Sequence, residues 1–328
     1  MMPENPLAGA LIGQCLGDAL GFPVEGKPPA HCAAYVNHLR EGHLLARPPF
    51  EFGQYTDDSQ LARTLFESVV ECGGFDAADY GRRIGALFSE DRVVGRGQAT
   101  AAAAARLAQG VHWTKSGTPA PSAGNGSAMR AGPMGLLAHD MDALVTLAVD
   151  QGRITHQDPR CCAGAVAIAA GVRLAASGEG IGVFDFVDTV AETVGPIHAE
   201  FAHEIRRLTR WLDMPPMIAA PEISRAGLDP GYRDGWAGIS PFVVGSVIWS
   251  LYAYLRCPDD PWEVYWTAIG VGGDVDTTAA MAGALVGARV GLAGLPAAAQ
   301  RVNDRGAWGY DQLVSLCERA QRTVGTNG

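Results

Sequence analysis

The chain has 328 residues, 48% of them hydrophobic and 18% charged, with 25 basic against 35 acidic side chains and a formal net charge of -10. That composition is ample for a large core; with Lys27 and Lys115 the only lysines, it excludes the clustered cations that nucleic-acid or anionic-membrane binding requires. Seven cysteines, odd in number and without a C-x-x-C pair, exclude a disulfide framework and a zinc ribbon and point to a reducing cytoplasm.

The opening Met1-Met2-Pro3-Glu4-Asn5-Pro6 lacks the basic and apolar regions of a signal peptide. No uncharged apolar run reaches the ~20 residues of a spanning helix. A cytoplasmic monomer without nucleic-acid or membrane partners is therefore expected, folded as one domain over residues 1–328.

Helix punctuation follows in order. Asn5-Pro6, Asp158-Pro159, Ser240-Pro241 and Asp260-Pro261 each place a capping side chain before a proline at the first helical position. Stops are expected at Gly73-Gly74, Gly110, Gly152, Gly178 and Gly272-Gly273. The segment after Ser59 carries Leu61, Leu65 and Val69 at helical spacing, residues 77–89 and 141–150 do likewise, and 99–105 is an alanine-rich, helix-favouring run. Strand alternation with hairpin turns is absent, so the class is all-α. The stretches 26–49, 111–125 and 215–240, rich in Pro, Gly or Ser, read as loops.

Ala8-Gly9-Ala10-Leu11-Ile12-Gly13, continuing to Gly17, is echoed by Ala282-Gly283-Ala284-Leu285-Val286-Gly287, continuing to Gly291. Glycines every fourth residue give a helix a smooth face that another backbone can approach. The two helices are expected to pack centrally, against each other.

Acid is concentrated at two helix starts, Thr56-Asp57-Asp58-Ser59 and Gly272-Gly273-Asp274-Val275-Asp276-Thr277-Thr278. Each alone reads as a cap, but together they exceed what capping requires. Asp57, Asp58, Asp274 and Asp276 gathered in one place would repel unless cations neutralised them, and two divalent ions would balance the charge. An all-oxygen donor set selects Mg²⁺ or Mn²⁺ over zinc. Spacing alone leaves capping and a binuclear site both open.

These motifs, with Gly124-Asn125-Gly126-Ser127-Ala128-Met129-Arg130, Thr155-His156 and an opening helix that runs from Gly9 through Asp18 to Glu25, occur in the order and approximate spacing of a known family. Over roughly residues 5–295 the chain resembles the ADP-ribosylglycohydrolases, which include dinitrogenase reductase-activating glycohydrolase and the ADP-ribosyl-arginine and ADP-ribosyl-serine hydrolases. The resemblance implies a compact orthogonal bundle of helices with a binuclear Mg²⁺ or Mn²⁺ centre at helix N-termini. Thr56, Asp57, Asp58, Asp274, Asp276 and Thr277 fall on its metal-ligand positions. Val275 stands where Thr or Ala is usual.

The implied activity is hydrolysis of the bond between the distal ribose of ADP-ribose and a modified protein or small acceptor. Arginine is the first choice of acceptor; serine, O-acetyl-ADP-ribose or a non-catalytic ADP-ribose binder are the alternatives. Asp57 or Asp58 would take the proton of the attacking water, and Glu25 or Asp91 would assist the leaving group. The Gly-rich turn, a weak signal for anion binding by itself, would cradle the diphosphate through Ser122, Gly124, Asn125, Gly126, Ser127 and Met129. His156 reads alone as a structural hydrogen-bonder and, by resemblance, as a ligand contact. Ala123 replaces an aromatic residue that stacks on adenine in some relatives. His198-Ala199-Glu200-Phe201-Ala202-His203 lacks the spacing of H-E-x-x-H, and Cys161-Cys162 has no base partner.

Overall fold

The computed structural model describes residues 3–178 and 181–325, leaving Met1-Met2 of the opening segment outside. Sixteen α-helices and four short 3-10 turns occur among the described residues; there is no strand, only isolated β-bridges. In chain order the helices are α1 Pro6–Gly21, α2 Pro29–Arg40, α3 Asp57–Cys72, α4 Ala77–Ser89, α5 Gln98–Ala108, α6 Trp113–Ser116, α7 Met141–Arg153 and α8 Pro159–Ala175. Then come α9 Val183–Val194, α10 Ala199–Arg206, α11 Leu208–Trp211, α12 Pro216–Ile223, α13 Val243–Arg256, α14 Pro261–Ile269, α15 Val275–Val290 and α16 Tyr310–Gly325.

Three of the four predicted cap-proline pairs open helices: Asn5, Asp158 and Asp260 each accept a backbone N–H of the first turn. The fourth starts late. Ser240 accepts from Phe242 N–H at 3.3 Å, and α13 begins only at Val243. Gly152 lies inside α7 rather than ending it. Each predicted loop contains a helix: Pro29 and Pro216 sit in the first turns of α2 and α12, where a missing N–H costs nothing, and the His112 side chain caps α6.

α1 and α15 form the centre. Nearly every residue of both is buried, including the glycines. The region Pro6–Val24 is apolar and long enough to cross a membrane, but 94% of its apolar window is buried inside the protein. A Cβ placed on Gly9, Gly13 or Gly17 would collide with the carbonyl oxygen of Gly287, Gly283 or Ala279, and one on Gly21 with the Asp276 backbone. The predicted helix pairing is thus backbone on backbone. α3, α8, α13, α14 and α16 pack around the pair.

The smooth seam leaves no room for side chains. Gly13→Val is expected to destabilise the protein by at least about 1–3 kcal/mol through overpacking, whereas Gly110→Asn, at a left-handed turn with open space around it (φ 83°), should change stability little; urea denaturation of both variants checks this.

Candidate active site

Both acidic helix starts are held by other segments. Asp18, in the last turn of α1, accepts the N–H groups of Thr56 and Ser59 at 3.0 and 3.2 Å and the Ser59 hydroxyl at 2.7 Å. It satisfies the N-terminus of α3 from outside, and Thr56 makes no side-chain cap of its own. At α15, Asp274 likewise makes no side-chain cap and instead accepts the Asn125 amide at 2.6 Å. The residues that read individually as caps are released to face a common space.

The glycine pair sets the second turn. Gly272 and Gly273 have φ of 76° and 94°. A Cβ on Gly272 would meet the Lys27–Pro29 backbone, and one on Gly273 that of Ile239. Through this gap Gly273 donates to Lys27 C=O at 3.1 Å, its own C=O accepts from Gly26 at 2.8 Å, and Asp274 N–H donates to Ile239 C=O at 2.7 Å. The acidic turn is thereby tied to the chain just after Glu25.

Asp57, Asp58, Asp274, Asp276 and Thr277 line one cavity of about 460 Å³, together with Glu25, the Gly-rich loop and His156. The hydroxyls of Thr56 and Thr277 both donate to Asp58, at 3.1 Å each. Those contacts orient Asp58 and join the two helix starts directly. Asp57 receives a long contact of 3.5 Å from Gly97 N–H.

All four aspartates are buried, and among the described residues none has a Lys, Arg or His within ion-pair distance. Burial pushes Asp57 up to about 8 and Asp274 up to about 6. Burial, reinforced by neighbouring carboxylates, holds Asp58 and Asp276 well above the usual range. One oxygen each of Glu25, Asp274 and Asp276 lies within 4.8 Å of the other two, a grouping that one metal ion can bridge. An uncompensated, all-oxygen set of this kind fits a hard divalent cation.

Opposite the acids, Gly124, Asn125 and Gly126 form the rim with Ser122 and Met129. Gly124 bridges to Phe242, and Asn125 N–H donates to Pro241 C=O at 3.0 Å. Gly126 must be glycine because a Cβ there would press on the His156 ring at 2.7 Å. Arg130, buried and over the Tyr80 ring, donates to Thr155 Oγ1 at 2.8 Å, and Thr155 Oγ1 lies 2.9 Å from His156 Nδ1. An arginine only donates, so the Thr155 hydroxyl accepts from it and keeps its own hydrogen to give, for which Nδ1 is the acceptor in reach. The His156 proton is thereby assigned to Nε2. Burial, with Arg130 adding to it, lowers His156 to about 3. It is a neutral donor near pH 7, not a base.

Three predicted site residues do not line the cavity: Thr56 is buried and reaches it only through its hydrogen bond to Asp58, and two others lie elsewhere. Ser127 is fully buried and donates to Cys161 C=O at 2.9 Å, on the side of the loop away from the cavity. Asp91 sits in a left-handed turn after α4 (φ 55°), exposed and paired with Arg96 outside the cavity. Its neighbours Gly95, Arg96, Gly97, Gln98 and Thr100, absent from the predicted set, line the cavity where α5 begins. Gly-x-Gly before a helix was the available signal. Trp236, also unpredicted, reaches the cavity from the 224–240 loop. Cys161 is no nucleophile: it is buried against the Gly124 carbonyl at 3.2 Å, and burial raises its thiol.

A model of the ADP-ribosylglycohydrolase family matches residues 3–327. The chain belongs to this family. This ADP-ribosylglycohydrolase family member is 27% identical to ADP-ribosylhydrolase ARH3 of Xenopus tropicalis, over 96% of its own length and 97% of that protein. It is 28% identical to ADP-ribosylarginine hydrolase Tri1 of Pseudomonas putida, over 90% and 74% respectively. The solved structure of an "ADP-ribosylglycohydrolase-related protein complex" superposes with a TM-score of 0.72 at 25% identity, covering 98% of both chains.

A pH test follows from the acids. Without divalent metal, a carboxyl whose folded pKa is raised holds its proton in the native state after the unfolded chain has lost it, so stability falls as pH rises toward the folded pKa. His156, lowered to about 3, acts in the opposite sense only below its ordinary 6.5. Between pH 6.5 and 8 the metal-free protein should therefore lose stability at about 1.4 kcal/mol per pH unit for each carboxyl still protonated. Saturating Mg²⁺ should flatten this slope in thermal melts with and without EDTA.

Proposed function

We propose that this protein is a metal-dependent ADP-ribosyl hydrolase that removes ADP-ribose from an arginine side chain. The observation that carries this reading is the convergence of two helix starts on a buried, cation-free group of carboxylates, facing a Gly-rich rim and a neutral histidine N–H. Family membership and the similarity to ADP-ribosylhydrolases and an ADP-ribosylarginine hydrolase support it. Thr56, Asp57, Asp58, Asp274, Asp276 and Thr277 would hold two Mg²⁺ or Mn²⁺ ions. The chemistry supplied by bound divalent cations is charge neutralisation and Lewis acidity toward ribose hydroxyls and water.

The protein's own groups then take distinct tasks. Backbone N–H groups of Gly124 and Gly126 and His156 Nε2–H hold the diphosphate and ribose. Asp58, whose oxygens already accept from two threonines, is a ligand of fixed orientation. Asp57 has freer lone pairs and takes a proton from the water that adds to the anomeric carbon. Glu25 stands at the cavity mouth, bonded to Arg47 at 2.9 Å, and as a carboxylate accepts from the departing guanidine, which takes up the proton Asp57 removed from the water as the carbon–nitrogen bond breaks. A charge-developing, oxocarbenium-like transition state is stabilised among these carboxylates. Seven cysteines, all free thiols, are consistent with work in the cytoplasm.

Defined peptides carrying ADP-ribose on arginine or on serine, each with Mg²⁺, Mn²⁺ or EDTA, form the test. Release from the arginine peptide, abolished by EDTA and lowered by roughly 10²-fold or more in Asp57→Asn, is expected. Preferential release from the serine peptide would replace the acceptor assignment. Tight ADP-ribose binding with no turnover on any peptide would refute the enzymatic reading.

A further inference from the structure

The C-terminus of α2 carries a second group of metal-ligating side chains, remote in chemistry from the acidic cavity. Gly42 adopts φ 84°, with its N–H donating to Leu39 C=O at 3.0 Å, and His43 N–H donates to His38 C=O at 3.0 Å. This pair of bonds is a Schellman motif, which holds the side chains three before and two after the helix end against each other. Those positions are ordinarily apolar. Here both are histidine, His38 and His43, and the capping residue between them is Glu41.

The consequence is a preassembled donor set. His38 Nδ1 and His43 Nδ1 each lie 3.8 Å from Glu41 Oε2, the two imidazoles stack with centroids 6.2 Å apart, and one donor atom from each residue falls within 4.8 Å of the other two. Two ligands at about 2.0–2.1 Å on a tetrahedral ion are about 3.3 Å apart, so small side-chain rotations close the observed gaps. No backbone rearrangement is needed, because the motif has already fixed the turn. Side-chain exposures of 58%, 62% and 64% for His38, His43 and Glu41 leave the remaining coordination positions to water.

We propose that His38, Glu41 and His43 form a surface site for one borderline transition-metal ion of the Zn²⁺, Ni²⁺ or Cu²⁺ class. Two imidazoles and one carboxylate suit such ions, whereas the all-oxygen cavity suits Mg²⁺ or Mn²⁺. The two sites are therefore separable by metal chemistry. The site also sits at the root of the 43–50 segment, from which Arg47 reaches Glu25.

Isothermal titration with Zn²⁺ in a large excess of Mg²⁺, which keeps the acidic cavity occupied, provides the test. The full chain is expected to bind one Zn²⁺ equivalent, with affinity falling at least about tenfold in His38→Ala and in His43→Ala. Hydrolysis measured in Mg²⁺ alone should be unchanged in both variants. With Cu²⁺ as the probe, the electron paramagnetic resonance spectrum should show coupling to two imidazole nitrogens in the parent and one in either variant. A parent protein that takes up no Zn²⁺ under these conditions, or variants that bind it as tightly as the parent, would overturn the assignment.

Discussion

Direct backbone contact between α1 and α15 is the constraint on which the site depends. Glycines at 9, 13, 17 and 21 meet Gly287, Gly283, Ala279 and Asp276 with no space for a Cβ at any of the four. The seam runs to the first turn of α15, so the acid-bearing helix start is located by the same contact that builds the core. One turn before the end of that seam, Asp18 leaves α1 and caps α3. A single helix therefore places both acidic turns. Each glycine sacrifices roughly 1 kcal/mol of helix propensity relative to alanine, and the close approach offsets that loss with continuous packing.

The second constraint is electrostatic. Buried carboxylates with no cation within ion-pair distance are among the least favourable groupings a protein interior can hold, and the raised titration of Asp57, Asp274 and their neighbours expresses that. The surrounding structure tolerates them because hydrogen bonds fix their orientation. Thr56 and Thr277 donate to Asp58, and Asn125 to Asp274. Isolated β-bridges pin the loops that bring these donors in, Ile239 against Gly273 and Gly124 against Phe242. The arrangement is preorganised for positive charge, consistent with a ligand that supplies it.

His156 shows how a neighbour that does not touch a side chain can fix where its proton sits. Its position before α8 allows a structural or a ligand-binding function equally. Arg130, buried and able only to donate, orients the Thr155 hydroxyl, and that orientation leaves the histidine proton on the nitrogen nearest Gly124 and Gly126. Sequence order separates Arg130 from His156 by a full helix, α7, so no local pattern reveals the link.

What the amino-acid order determined by itself is local in origin: helix starts at Asn5, Asp158 and Asp260, the all-α class, the glycine-faced helices, and two acid turns that exceed what capping requires. Each follows from residues within a turn or two of one another, where backbone sterics and capping act. Only the tertiary structure decided that Asp18 rather than Thr56 caps α3, that Ser127 and Asp91 lie off the cavity, and that Gly95–Thr100 and Trp236 line it. Those outcomes depend on which distant backbone fills the space beside each residue. A chain read residue by residue carries no record of that until α1 and α15 have closed on each other.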